Sequence, residues 1–370
     1  MAGIRASLHA KDLHYGNGIV LHTASSGSLA ALQSLYLRLD DGEHVAVGEV
    51  RINIPYLNGY TPEQVTDGAL DALAHVDWQQ SPEALLTAMP QWAAGLTMPV
   101  RCLIDCALHD LVARRAGLPL ADWLRDDGVP STAPVQWHSN QTLFWSPFDV
   151  FMQQAEAYVA RGFTELKVRV AAGDFSEDLR RLGALRERLG DTVTLAADAN
   201  AQWSAADAPG KLDALAPFDL AYLEQPIATS RPADLLALAE SSPMPLMLDE
   251  GVSSMADVDA ICALGGQLWA HLKLVKLGGL APTQLAALKL SVAGVPFMIG
   301  QMNEGGAATA AALHMAAAAA PRYAELYGAD GLADDPAQGL VYADGHLTVP
   351  QNPGLGITFD FSPTQLIRSF

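Results

Sequence analysis

Acids and cations recur through the second half of this 370-residue chain, each near the end of a short apolar run. In order they are Lys167 and Arg169, Asp198 and Asn200, Glu224, Asp249 and Glu250, Lys273, Gln301 and Glu304, and Glu325. Only 17% of the residues are charged, so two cations on one face of the strand-like "TELKVRVAAGD" need a reason. A solvated edge, a phosphate clamp and a reaction centre are the three readings. Asp198, Glu224 and Asp249 come from three consecutive runs. Brought to one point without a partner, three carboxylates repel strongly. A divalent cation resolves that, and an all-oxygen ligand set favours Mg2+, with Mn2+ as the alternative, over zinc. Each acid alone has a plainer reading as a helix N-cap after a strand.

The elements that must hold these residues are eight runs, mostly about 25 residues apart with helix-like stretches between them. They are "VQWHS", "ELKVRV", "VTLAADAN", "LAYLEQP", "PLMLDEG", "AHLKLVK", "VPFMIGQ" and "RYAELYG". Eight such βα steps predict an α/β fold, a modified (β/α) TIM-type barrel whose chemistry sits where strands end and loops begin. A doubly wound sheet is the alternative, but no glycine-rich dinucleotide fingerprint follows the first run. Residues 1–128 mix strand and helix signals. "ALQSLYLRLDDGEHVAVGEV" predicts strand, turn and strand. Ser81 and Pro82 open a helix, and "VRCLIDCALHDLVARRAGLPLADWL" gives an amphipathic helix stopped by Gly117 and Pro119. The division expected is an N-terminal α+β domain (1–128), the barrel (129–345) and a tail (346–370) that returns to the N-terminal domain.

A formal net charge of −19 excludes a nucleic-acid partner, because phosphate neutralisation needs clustered Lys and Arg. The three cysteines, Cys102, Cys106 and Cys262, offer no zinc ligand set and fit small buried thiols in a reducing cytoplasm. "MAGIRASLHAKDLHYGNG" lacks a signal-peptide apolar core. The run "AATAAALHMAAAAA" is too short to span a bilayer comfortably, so no membrane association is expected and a packed helix is.

Taken together, "LKVRV", "LAADANAQW", "YLEQP", "MLDEG", "HLKLVKLGG" and "GQMNEGG", with "AVGEV" near the start and "PGLGI" near the end, resemble the enolase superfamily. The resemblance spans nearly the whole chain and points to the muconate lactonizing enzyme and mandelate racemase branch, nearest the lactonizing enzymes. It implies an N-terminal capping domain completed by the C-terminal tail, Mg2+ bound by Asp198, Glu224 and Asp249, and Lys273 as an acid/base facing the second cation of the "K-x-K" pair. It makes Lys276 a lesser candidate and Glu250 the acidic neighbour that orients the lysine. Asn200, Gln301 and Glu304 are second-tier residues in the same reading. A homo-oligomer and a small carboxylate substrate, deprotonated α to the carboxylate through an enediolate, are implied as well.

Arg169 departs from the family's lysine pair. A lysine base needs its pKa brought from about 10.4 to roughly 7–8, near 4 kcal/mol. Two like charges about 6 Å apart supply about 2.8 kcal/mol at an effective dielectric of about 20. An arginine needs a drop of about 5, near 7 kcal/mol. Arg169 is therefore expected to act as a fixed cation or carboxylate binder, or to pair with a metal-ligand acid, leaving Lys273 as the single base. One base favours a lyase (dehydratase) or a cycloisomerase. A racemase or epimerase of a proline-like or N-acyl amino acid is the alternative, because Lys167 shares the inward face, and a non-catalytic carboxylate- or metal-binding homologue is the third reading. Substrate contacts are expected from Asn303, Glu325, His138 at the first strand's end, and the cap loops 25–30 and 52–62 with Tyr56 and Tyr60. Turn chemistry alone also explains those loops, and a second-tier or core place also suits His138. His271 and His314 are expected to be structural.

Overall fold

The computed structural model describes residues 3–16, 21–23, 27–125, 136–229 and 231–370. The expected 128/129 boundary, and Ser25 and Ser26 of the 25–30 loop, lie outside the described residues.

Seven of the eight apolar runs become barrel strands in the order expected. The parallel eight-stranded sheet runs Gln141–Leu143, Glu165–Arg169, Thr194–Asp198, Leu220–Glu224, Leu246–Leu248, Leu268–Lys273, Phe297–Gly300 and Tyr323–Glu325. Asn140 N donates to Ala324 O at 3.0 Å and joins the two ends of the sheet. The exception is "VQWHS". Gln136–His138 pairs antiparallel with His346–Thr348, and the first barrel strand is the shorter, more polar "QTL". The more strand-like run therefore stops short of the barrel, and the chain enters it only after Ser139 and Asn140.

Inside the barrel, Ala196, Tyr222, Met247, Trp269 and Met298 form a buried apolar layer with Tyr323 against it. Period-two alternation places Asp198, Glu224, Asp249 and Glu325 one inward step further along their strands. A charged layer thus sits on an apolar floor.

The cap is an antiparallel sheet with strand order Gln365–Ser369, Arg5–Leu13, Leu32–Asp40, Val45–Arg51. The tail pairs with the first strand, Ser7 opposite Ser369 and Ala10 opposite Gln365. It joins the cap late, however: His346–Thr348 still pairs beside the barrel. Helices at Pro62–His75 and Pro82–Trp92 complete the cap, the second capped by Ser81 Oγ accepting from Ala84 N at 3.2 Å.

Helix Met98–Ala116 differs from the amphipathic expectation, for it is buried along almost its whole length. Its polar residues fasten neighbours instead of facing water. Asp110 accepts from Val47 N (2.9 Å) and Leu355 N (2.7 Å), and Asp105 accepts from Leu280 N (2.5 Å). A cap strand, the tail and a barrel helix are thereby tied to one helix. Gly48 of "AVGEV" permits this packing, because a Cβ there would overlap Leu103 O. Cys102 and Cys106 are buried free thiols 3.9 Å apart. The Ala-rich run forms the packed helix Gly306–Ala319. Among the described residues, no helix is long and apolar enough to cross a membrane.

Candidate active site

Strand register carries the reactive side chains to one end of the barrel. Arg169 lies opposite Asp198, Asp198 opposite Glu224, Lys273 opposite Gly300 and Gly300 opposite Glu325. Asp249 follows the fifth strand directly. Lys167, Asp198, Glu224, Asp249, Lys273, Lys276 and Glu325 are all buried. Charges removed from water must pair.

They do so in a closed network. Lys167 Nζ donates to Glu224 Oε2 at 2.7 Å, pairs with Glu325, and lies 3.8 Å from Asp198 Oδ2. Arg169 Nη1 donates to Asp198 Oδ2, and its guanidinium lies 5.9 Å from the Phe144 ring centre. Lys273 Nζ donates to Asp249 Oδ2 at 2.6 Å and touches Met302 Sδ at 3.1 Å. Lys276 Nζ donates to Asp249 Oδ1 (2.7 Å), Asp249 O (2.5 Å) and His271 O (2.9 Å). Four carboxylates (Asp198, Glu224, Asp249, Glu325) thus face four cations (Lys167, Arg169, Lys273, Lys276).

The acids respond differently to that network. Burial acts to raise Glu224, but Lys167 and then His271 hold it well below the usual carboxylate range. Burial opposes Asp249 in the same way, and Lys273 and Lys276 prevail. Asp198 is pushed up to about 6, since burial and the neighbouring Glu224 outweigh Arg169. Arg169 is nevertheless held well above its usual range, Asp198 overcoming its burial. Glu250 rises to about 8 through burial, then Asp249 and Asp198. Lys273 corrects an expectation. Burial acts to lower its pKa, yet Asp249, followed by Glu325 and Glu224, carries it above the ordinary value. The sequence showed the cations as neighbours of one another. In the fold, each has a carboxylate nearer than another cation.

A small cavity opens above the network, about 20 Å³, lined by Tyr56, Arg169, Asn200, Asp249, Glu250, Lys273, Gln301, Met302, Asn303 and Glu325. A larger hollow of about 530 Å³ lies on the cap helices, without such a convergence of charge. The small one is where the charged strand-end side chains converge. Of the three cations singled out in the sequence, Arg169 and Lys273 face it, and Lys167 is sealed beneath with Asp198 and Glu224. Tyr60 packs against the apolar core rather than lining this cavity. His138 is exposed and precedes the first barrel strand, so it lies at the opposite end from the strand-end acids. Its expected place depended on "VQWHS" being that strand.

Loops hold the rim in backbone shapes that suit it. Asn200 (φ 45°) and Asn303 (φ 52°) adopt the left-handed conformation that asparagine tolerates. Asn200 N and Nδ2 donate to Asp198 at 2.8 and 3.4 Å, and Asn303 Nδ2 donates to Tyr15 OH at 3.1 Å. Gln301 accepts from Thr309 Oγ1 at 2.7 Å, and Glu304 accepts from Met302 N at 3.2 Å. Lys273 is held by Asp249 rather than by Glu250, whose Oε2 is buried without a hydrogen bond.

Four residues that hold this site were not singled out in the sequence for doing so. His271 Nδ1 lies 2.9 Å from Glu224 Oε1, and Gly300 leaves room for its ring. Alternation on the sixth strand was the available signal, since His271 stands two residues before Lys273. Gln225 Oε1 accepts from Asp249 N and Gly251 N, both at 3.0 Å. Lys276 clamps Asp249, and Arg51 of the cap donates to Met302 O at 2.5 Å. Spacing gave no signal for Arg51.

The donor set suits a hard divalent cation. Asp198, Glu224 and Asp249 offer carboxylate oxygens, and Asn200 Oδ1 and Glu250 Oε2 are buried without hydrogen bonds. Among the described residues, Glu224, Asp249 and His271 each bring a ligand atom within 4.8 Å of the others. His271's Nδ1 is already directed at Glu224.

A family model described as Enolase C-terminal domain-like matches residues 150–362. An L-Lys-D/L-Arg epimerase from Methylococcus capsulatus is 35% identical over 265 residues, 70% of this chain and 72% of its own. Muconate cycloisomerase 1 from Pseudomonas putida is 26% identical over 362 residues, 92% and 91% of the two chains. The crystal structure of a dipeptide epimerase from Cytophaga hutchinsonii, complexed with Mg and D-Ala-L-Val, superposes with a TM-score of 0.89 at 23% identity over 99% of each chain.

Proposed function

Because the chain belongs to the enolase superfamily, in the branch of mandelate racemase and muconate lactonizing enzyme, we propose that it is a Mg2+-dependent enzyme using Lys273 to remove the proton α to a carboxylate of a small acid. Asp198, Glu224 and Asp249 would hold the ion (Mn2+ being the alternative), which polarises the substrate carboxylate when bound. The observation that carries the reading is that, among the described residues, Lys273 is the one lysine lining the cavity, with Arg169 lining it too and Lys167 closed off. With Asp249 as its partner, Lys273 stays charged. Once Asp249 is drawn to an ion and a positive charge is added nearby, the Lys273 pKa falls, so that the amine can accept the proton. Arg169 stays charged and steadies the enediolate that follows. Asn200, Gln301 and Asn303 orient the substrate, and Tyr56 screens it from the cap side. A base on one face suits β-elimination or cycloisomerisation.

Epimerisation of an amino-acid derivative is the second reading, supported by the 35% identity to the Methylococcus capsulatus epimerase. It needs a proton donor on each face, which Arg169 is poorly suited to be. A homo-oligomer belongs to the same proposal. Leu285, Leu288 and Val292 are 48%, 60% and 81% exposed along one helix and offer a contact face that sedimentation of Leu288→Lys would test. A cytoplasmic location accords with the free thiols.

The test is α-proton exchange in deuterated water with Mg2+, across hydroxy acids, muconates, N-acyl amino acids and dipeptides. Wild-type protein is expected to exchange from one face only, and Lys273→Ala to lower the rate by about 10²–10⁴-fold. Equal wash-in from both faces in Lys273→Ala would overturn the single-base reading.

A further inference from the structure

His138 and His346 stand directly opposite each other on the antiparallel strands Gln136–His138 and His346–Thr348. Their Nε2 atoms are 3.0 Å apart and their ring centres 3.9 Å apart. Tautomers follow from the neighbours. His346 Nδ1 lies 2.6 Å from Asp344 O, an acceptor only, so Nδ1 carries the hydrogen and Nε2 presents its lone pair. In the free protein His138 Nε2–H donates to that lone pair. Moving the His138 hydrogen from Nε2 to Nδ1 leaves two nitrogen lone pairs on atoms 3.0 Å apart.

We propose that this pair is a second metal site, for a borderline divalent transition ion such as Ni2+, Cu2+ or Zn2+. Imidazole nitrogen selects such ions over Mg2+, which prefers oxygen ligands. With metal–nitrogen bonds of about 2.1 Å, a 3.0 Å separation subtends about 90°, the angle between adjacent ligands in square-planar or octahedral coordination. Ni2+ and Cu2+ accept that nitrogen separation once the rings tilt so that their centres, now 3.9 Å apart, part by somewhat under about 1 Å, whereas tetrahedral Zn2+ also needs the nitrogens to part by a few tenths of an ångström. His346 is already oriented by the kind of partner that metal-bound histidines favour, a backbone carbonyl on the other ring nitrogen. His138 is exposed and His346 half-buried, so water can complete the coordination. Because His138 changes tautomer and neither neutral ring loses charge, no proton is released above the histidine pKa range.

The two strands come from distant parts of the chain, one entering the first barrel strand and the other following the eighth. An ion bridging them closes that junction and stabilises the fold as its concentration exceeds its Kd. The site is separate from the carboxylate cluster and independent of the proposed reaction.

The experiment uses the full-length, tag-free protein with excess Mg2+ to occupy the carboxylate site, titrated calorimetrically with Ni2+ and examined with Cu2+ by electron paramagnetic resonance. One saturable site per chain is expected, with nitrogen splitting in the Cu2+ spectrum. His138→Gln and His346→Gln are each expected to weaken Ni2+ binding by at least about tenfold and to remove that splitting. The exposed His75→Gln serves as a control and should leave both unchanged. Unaltered Ni2+ affinity in His346→Gln, or no saturable site, overturns the proposal.

Discussion

Arg169 and His271 are the two residues where this chain's chemistry is most open to test. Lysine at position 169 would need only about 3 to lose from its pKa, against about 5 for arginine, a saving of roughly 3 kcal/mol. Arg169→Lys is therefore expected to admit a second proton route, read as deuterium entering from both faces of the α-carbon. Exchange confined to one face in that variant would show that Arg169 is not what restricts it. His271 holds Glu224 from below while Lys167 holds its other oxygen. Removing the imidazole in His271→Leu frees a metal-ligand candidate to rotate, and Mg2+ affinity is expected to fall by about 10–100-fold in a calorimetric titration. His271→Asn, which keeps a donor near Nδ1, should recover part of it. Unchanged affinity in the leucine variant would assign His271 to packing alone. Lys273, Asp249 and Arg169 were legible as strand-end residues because their type and spacing mark them. The roles of His271 and Lys276 were not, for they act inside the barrel through distances that only the assembled sheet fixes.

Between elements, the joint that matters most to the site is the carboxylate of Glu49 at the start of helix Gly306–Ala319. Glu49 Oε1 accepts from Gly305 N at 2.9 Å, and Oε2 from Ala307 N and Ala308 N at 3.1 and 3.0 Å. A cap strand thus supplies the acceptor for backbone donors that a helix start leaves open. Two residues on, Arg51 holds the Met302 carbonyl, so one strand fixes both the helix and the rim loop before it. Glu49→Ala strands three buried N–H groups, and a loss of about 2–4 kcal/mol in urea denaturation is expected. A change under about 0.5 kcal/mol would mean that water replaces the carboxylate. "AVGEV" showed a strand and its glycine, but the partner of Glu49 lies 256 residues away and leaves no local trace. The barrel strands from the second to the eighth were legible because each is an apolar run ending in a polar residue. "QTL" is short and polar, and the stronger "VQWHS" beside it drew the assignment away.

Cap, barrel and tail meet at a single buried imidazole, and the stability of the whole molecule should follow its protonation. His314, on the Ala-rich barrel helix, accepts from Ala121 N through Nδ1 and donates to Leu355 O through Nε2, both at 3.1 Å. One segment comes from the end of the cap, the other from "PGLGI" in the tail. Protonation would put an N–H at Nδ1 against the Ala121 N–H and place a charge where no water reaches. Burial accordingly lowers the His314 pKa to about 4, with Leu355 O and Asp122 opposing it only in part. Since the folded value lies below the ordinary value of about 6.5, the unfolded chain binds the proton more readily. The stability contributed by neutral His314 is therefore complete above about pH 6.5 and lost as pH falls towards 4, roughly 3 kcal/mol in all. Other buried groups titrate in the same range, so a variant must isolate this one. His314→Gln keeps one donor and one acceptor but has no proton to gain. It is expected to be the less stable protein at pH 7, where its geometry is poorer, and to lose about 2–3 kcal/mol less than wild type between pH 7 and 4.5. Urea midpoints of the two proteins at both pH values give that difference directly. Parallel losses would mean that His314 titrates normally in the folded state, and that the three-way joint is not what acid undoes.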